Sequence, residues 1–354
     1  MCAVENMESC LIEFQNWITE KAKQDPYFAG TFWLVLSALE EPLLARALRL
    51  QAHFTSRDIP CADAIGEVIV EGRKANQTAC FWHLPFHHHS IHIFFSLLKP
   101  SKAVRFAYRF IGRARGKAQL FPLGHSLIRS CARLNAAYPL ERTQILRGIS
   151  YPSRPEDGGA EINLKPGNAI AFLQKVEDDR RVLKSARMRV PVDEGKFCEF
   201  TIGRIGYISY HRGTVAPLLD AILGRLSNEM VESARPFTEA GDHFVGLRFQ
   251  DPIFGDNRSF KDVLQALARL PRMSMALIHA NPYFHATLTN YEDGGEFDIF
   301  ITDPSTIHLK SRGETSPASF LRLHNNLSEV FREAQVSIEQ PKRFSLSDLL
   351  SGRV

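Results

Sequence analysis

Cysteine is sparse and scattered in this sequence: six residues in 354, at Cys2, Cys10, Cys61, Cys80, Cys131 and Cys198, with no C-x-x-C pair. That spacing excludes a disulfide framework and the paired-thiol zinc and redox motifs. Long apolar runs are missing too. The best of them, Phe32 to Leu39, stops at Glu40-Glu41, well short of the roughly 18 residues that cross a bilayer. The amino end, Met1-Cys2-Ala3-Val4-Glu5, has neither the basic flank nor the apolar core of a secretory signal. The expected setting is therefore a reducing cytoplasm with no membrane contact. No P-loop, zinc-finger or RRM pattern occurs, and no G-x-S-x-G elbow. No internal repeat or low-complexity tract is present. The overall composition, 44% hydrophobic and 23% charged, is that of a folded globular chain.

Charge is present but unevenly spread. Between Ser101 and Arg147 stand ten basic side chains and one acidic residue, Glu141. This stretch carries +9 in a chain whose net charge is +4, so the remainder sums to −5. Lys102, Arg105, Arg109 and Arg113 recur at helical spacing and share one face, with Ser101 as the expected cap. Ala103, Phe106, Ala107 and Phe110 form the adjoining apolar stripe. Arg115 and Lys117 follow in a glycine-flanked turn. Arg129 and Arg133 fall on the outer face of a second expected helix, Ser126 to Tyr138, ahead of a short turn over Leu140 to Arg147. Guanidinium groups in a row suit phosphate oxygens, which accept paired hydrogen bonds. The alternatives are an acidic protein surface, acidic residues of the same chain, and a plainly solvated helix face.

The order of patterns predicts an α+β chain: a helical N-terminal part, then a mixed, mainly antiparallel sheet with packed helices. Residues 1–150 form the expected helical domain with the basic face, 151–335 an α+β domain, and 336–354 a polar tail. The boundary rests on the Pro and Gly cluster between 151 and 168. Residues 62–71 fit either a short helix or a strand. Ala169 to Val176 and Val182 to Val190 are expected as a hairpin, with a helix as the alternative. Thr214 to Ser233 reads as one long amphipathic helix. Ser259 and Ser316-Pro317 mark helix starts, and Tyr291 to Gly295 marks the turn of a hairpin.

Three further residue sets carry candidate chemistry. Cys80, His83, His88 and His92 have spacings that would suit Zn²⁺, since His88 and His92 share a face if the segment is helical. The bland alternative is polar filling in an aromatic segment. Glu296, Asp298 and Asp303 with Lys310 resemble the acids and lysine of a Mg²⁺-dependent nuclease, although His308 stands where the acid of the lysine triplet belongs. Asp298 also fits an ordinary solvent-facing strand position. Arg212, Gly213 and Thr214 lie where a strand enters a helix, a place where backbone N–H groups can hold an anion; a tight turn capped by Thr214 explains them equally. No organic cofactor is evident. The expected function is nucleic-acid association through the basic helical surface, without an evident catalytic centre. The competing expectations are a metal-dependent hydrolase or nuclease, and an assembly subunit that binds an acidic protein partner.

Overall fold

The structure, a computed structural model, describes residues 4–52, 59–71, 76–84, 90–121, 123, 142–152, 162–164, 167–179, 181–193, 195–222, 227–239, 244–249, 252–254, 259–280, 284–291, 294–313, 315–331 and 334–339. The chain divides into two compact units, Met1–Ser233 and Ala234–Val354.

In the first unit the elements run α1 (Val4–Gln24), β1 (Gly30–Ser37), α2 (Glu41–Leu48), β2 (Gln51–Ala52), β3 (Ala64–Val70), β4 (Gln77–Leu84), β5 (Ile91–Ser96), α3 (Pro100–Gly112), β6 (Ala118–Leu120), β7 (Gln144–Pro152), β8 (Ile162–Leu164), β9 (Gly167–Asn168), α4 (Ala169–Asp178), β10 (Arg181–Asp193), β11 (Lys196–Gly203), β12 (Tyr207–Gly213) and α5 (Ala216–Asp220). Helix α6 (Ser227–Glu239) crosses the division between the units. A twelve-stranded sheet is built in the order β2-β3-β4-β5-β1-β12-β11-β10-β7-β8, with β6 added to β1 and β9 to β7. Strand β1 is buried along its whole length. Its second edge is shared: Gly30–Trp33 pair with β12 and Val35–Ser37 with β6.

The two sides of this sheet are filled differently. Phe32 and Phe95 pack toward α1, where Phe14 meets Phe95 edge-on at 5.3 Å. On the other side Trp33, Phe81 and Phe94 join Leu44, Leu48, Phe106 and Phe110 in one core under α2 and α3. Phe81 and Phe110 stack at 4.6 Å. Gly66 makes room for that stack, since a Cβ there would lie 2.5 Å from the Phe110 ring.

The second unit holds β13 (Phe244–Phe249), α7 (Phe260–Ala268), β14 (Met273–His279), β15 (Phe284–Asn290), β16 (Glu296–Asp303), β17 (Thr306–Arg312), α8 (Pro317–Phe331) and β18 (Ala334–Glu339). They form an antiparallel sheet ordered β14-β15-β16-β17-β13-β18. Ser259 caps α7 through a reciprocal box with Asp262, and the Ser316 hydroxyl accepts from the Ser319 N–H at the start of α8. The hairpin β15–β16 turns between Asn290 and Glu296.

The α+β class is therefore present, but the helical N-terminal part is not. Residues 30–120 are dominated by strands. The cause is burial: β1 and β5 are covered on both faces, so they lack the polar alternation that marks a strand with one wet face. The described residues between 151 and 168 belong to the first sheet, where β8 and β9 each pair with β7. The division falls at Ser233 instead. The segment after Ala169 is a helix, not the first arm of a hairpin. The Asn168 side chain accepts from the N–H groups of Ile170 and Ala171, a capping arrangement that starts α4. Of the long helix expected over 214–233, the described residues show α5 from Ala216 and α6 from Ser227, and 223–226 lie outside the described residues. The stretch 64–70 resolves as strand β3, and 144–147 as part of β7 instead of a turn. The polar tail begins inside β18.

Candidate functional site

Helix α3 carries three of the ten basic residues of the stretch, Lys102, Arg105 and Arg109. Its turn-in is Lys99-Pro100, with Lys99 at the cap position in extended conformation and no side-chain cap bond. The start is set by the proline, whose fixed φ suits the first helical residue, and not by Ser101. Ala103, Phe106, Ala107, Phe110 and Ile111 are buried in the core, so the i, i+4 set Lys102, Arg105 and Arg109 is left exposed. Arg115 and Lys117 are exposed in the turn that follows, where Arg115 and Gly116 both take positive φ.

Arg113 behaves differently from its neighbours. Its guanidinium donates to the backbone carbonyls of Leu48, at 2.9 Å, and Glu67, tying α3 to α2 and β3. Burial and the nearby Arg49 pull it below its usual pKa. It lines a cleft of about 290 Å³ with Arg49, Gln51, Ile65 and Glu67. Arg105 donates to the Glu71 carbonyl at 3.1 Å. No described carboxylate pairs with Lys102, Arg105, Arg109, Arg113, Arg115 or Lys117. Arg129 and Arg133 lie outside the described residues.

A second concentration of charge lies on the same side of the first sheet. Paired residues on adjacent strands share a face, and the register carries a polar row from Ser96 to Thr31, Ser209, Thr201, Arg187 and Arg147. Thr31 lies two residues from Trp33, so the row is on the α3 side. It starts buried beside the entry to α3, where the Thr31 hydroxyl donates to the Leu98 carbonyl at 2.8 Å. It emerges at the arginines. One strand position along, Glu199 is fully buried between Arg187, Arg189 and Arg212. Arg187 Nε donates to Glu199 Oε1 at 2.7 Å. Arg189 Nη2 and Arg212 Nε reach Oε2 at 3.0 Å. Burial alone would raise the Glu199 pKa, and the hydrogen bonds from Arg189, Arg212 and Arg187 outweigh it and hold the carboxyl below its usual range.

Two neighbours complete this face. His211 meets the Thr201 hydroxyl at 2.8 Å. Burial first, and then the positive charge of Arg187, lower its pKa to about 4, with Lys99 and Arg212 acting in the same direction. The Phe197 ring lies against the guanidiniums of Arg189 at 5.0 Å and Arg212 at 5.7 Å. Sequence inspection named only Arg212 of this group. The alternation Arg187-x-Arg189 and the lone acid inside the apolar run Phe197-Cys198-Glu199-Phe200 were the available signal: basic residues on one strand face and a buried partner next door.

The structure separates or redirects the other candidates. Cys80 and His83 lie on strand β4, and residues three apart on a strand point to opposite faces, so they are not a ligand pair. His92 is on β5, not on a helix with His88, and its Nδ1 approaches His83 Nε2 at 3.3 Å. His88 is outside the described residues. Among the described residues no group of three metal-ligating side chains converges. Asp298 and Lys310 are register partners on β16 and β17. Asp298 accepts from Arg312 at 2.8 Å, Thr287 at 2.9 Å and His285 at 3.3 Å. Burial opposes its charge, and these bonds overcome that and hold its pKa below the usual value. Glu296 is across from Arg312. Asp303 accepts the Ser305 N–H at 2.8 Å, so it shapes the β16–β17 turn and does not join a three-acid site. Gly213 takes φ +97, and the Thr214 N–H is spent on the Phe197 carbonyl at 2.8 Å. Helix α5 begins only at Ala216 with Val215 at its cap position, so Arg212, Gly213 and Thr214 do not build an anion nest; Arg212 serves Glu199 instead.

No described helix is long and apolar enough to cross a membrane. The chain matches no protein-family model and no curated protein sequence.

Proposed function

We propose that the protein binds nucleic acid through phosphate contacts made by the outer edge of α3 and the turn after it, with Lys102, Arg105, Arg109, Arg115 and Lys117 as the contacting side chains. The observation that supports this is the exposure of these five residues without a described carboxylate partner. Cations neutralised by their own chain have little to offer an anionic polymer; these have no carboxylate partner among the described residues. Arg113 is assigned a different part, fastening α3 to its neighbours so that the charged edge stands at fixed height. The companion unit, which carries −2 against +6 for residues 1–233, acts as scaffold or partner-docking module. The buried thiol of Cys198, which is in no disulfide, suits a cytoplasmic protein.

Salt-dependent binding is the test. Affinity for duplex DNA or RNA should fall with salt at a log–log slope of about −0.9 per phosphate contacted, or about −0.7 on single strands. The triple variant Arg109→Glu, Arg115→Glu and Lys117→Glu should bind at least about tenfold more weakly at 0.1 M salt, with a shallower slope by about 0.9 for each contact removed. Wild-type affinity indifferent to salt, or a triple variant that binds as well as wild type, would sink the proposal. Preferential capture of an acidic polypeptide over nucleic acid in the same assay would move the surface to the protein-partner class.

A further inference from the structure

We infer that the arginine cluster on β10, β11 and β12 is a separate site for a phosphomonoester dianion, gripped by Arg187, Arg189 and Arg212 and organised from below by Glu199. The inference does not depend on α3. Each guanidinium carries about five N–H donors, whereas one carboxylate offers about four lone-pair positions. Glu199 takes the Nε edge of all three arginines, and the Nη1 groups make no hydrogen bond to a described residue. The arginine side chains are 42%, 34% and 57% exposed, in the order Arg187, Arg189, Arg212, around a carboxylate that is 0% exposed. A buried anion thus holds three heads close together while their outer donors face solvent.

Charge selects the ligand. Three guanidiniums and one carboxylate leave the cluster at +2, with His211 held neutral beside it. A phosphomonoester carries about −1.5 to −2 near pH 7 on one compact group with three acceptor oxygens. A carboxylate or a phosphodiester brings half that charge. Planar forks set on neighbouring strands match phosphate oxygens bidentately. They are already ordered by Glu199, so little side-chain freedom is lost on binding. The Phe197 ring, against which Arg189 and Arg212 lie, helps fix the orientation of both.

The experiment is titration of the full-length protein with inorganic phosphate and with a nucleoside monophosphate at pH 7.5, against chloride at matched ionic strength, followed by calorimetry. Saturable binding of both phosphates is expected. Arg212→Gln, at the most exposed position, should weaken it at least fivefold. Glu199→Gln removes the carboxylate that orders the three heads and should weaken phosphate binding at least about twofold although the cluster rises to +3, a response that charge attraction alone would not give. The α3 triple variant should bind phosphate as wild type does, which separates this site from the surface proposed above. A further arm compares oligonucleotides with a 5′-phosphate and a 5′-hydroxyl. Preference for the phosphate end that is lost in Arg212→Gln identifies a nucleic-acid terminus as the source, and equal affinity identifies a small phosphomonoester. Phosphate binding no better than chloride or glutamate would overturn the inference. So would a folded Arg212→Gln protein that binds as wild type, whatever the fate of Glu199→Gln.

Discussion

Glu199 and His83 are both buried ionisable side chains, and their surroundings treat them in opposite ways. Glu199 is given three cations and stays charged. His83 is given the Phe94 ring at 4.9 Å and another imidazole, that of His92, and burial, followed by the charge of His92, lowers its pKa to about 4. The unfolded value is about 6.5. Between those two values the unfolded chain binds a proton that the folded chain does not. Stability contributed by neutral His83 is therefore complete above about pH 6.5, declines as pH falls, and levels off below about 4, with a loss of up to about 3 kcal/mol. Denaturant midpoints measured at pH 7, 5.5 and 4.5 should drop less steeply for His83→Gln than for wild type. Parallel profiles would show that another group carries the acid sensitivity.

At the level of elements, α3 depends on the small residue beneath it. A methyl group at Gly66 would meet the Phe110 ring at 2.5 Å, forcing apart the Phe81–Phe110 stack that seats the helix. Gly66→Ala should cost about 1–3 kcal/mol by overpacking, read as a shift in thermal midpoint. It should also weaken nucleic-acid binding, because the cationic edge is held in place by that seat. Helix α3 itself was legible in the sequence: Phe106, Ala107 and Phe110 fall on one stripe and Lys102, Arg105 and Arg109 on another. The capped helices at Ser259 and Ser316 were legible for the same local reason. The strands β1 and β5 were not, since burial on both faces erases alternation. The Glu199 cluster was not legible either. Its members come from three strands, and only register brings Arg189 and Arg212 to opposite sides of one carboxylate. Local pattern specified what each segment buries; long-range pairing specified which charges meet.

Across the whole molecule, the two units divide the charge and, on this account, the work. Residues 1–233 hold 30 basic and 24 acidic residues, and residues 234–354 hold 13 and 15. Asp298 anchors a polar cluster on the second sheet, with Arg312, Thr287 and His285 donating to it. Asp298→Asn removes charge-assisted bonds from Arg312 and His285 and should lower stability by about 1.5–3 kcal/mol. Nucleic-acid and phosphate affinities of the same variant should stay within twofold of wild type. A larger change would place part of the binding in the second unit.

The sheet of the first unit closes late in the chain. Thr31 on β1 and Ser209 on β12 meet across 178 residues, while the opposite edge of β1 is met by β5 about 60 residues on. On a ribosome adding about 5–20 residues per second, Gly30–Trp33 of β1 wait on the order of 5–20 seconds between the synthesis of β5 and that of β12, with one side unzipped and its aromatic residues half covered. The nascent chain passes through that interval every time it is made. Chaperone supply and translation speed should therefore govern the yield of this protein more strongly than the stability of the finished fold does.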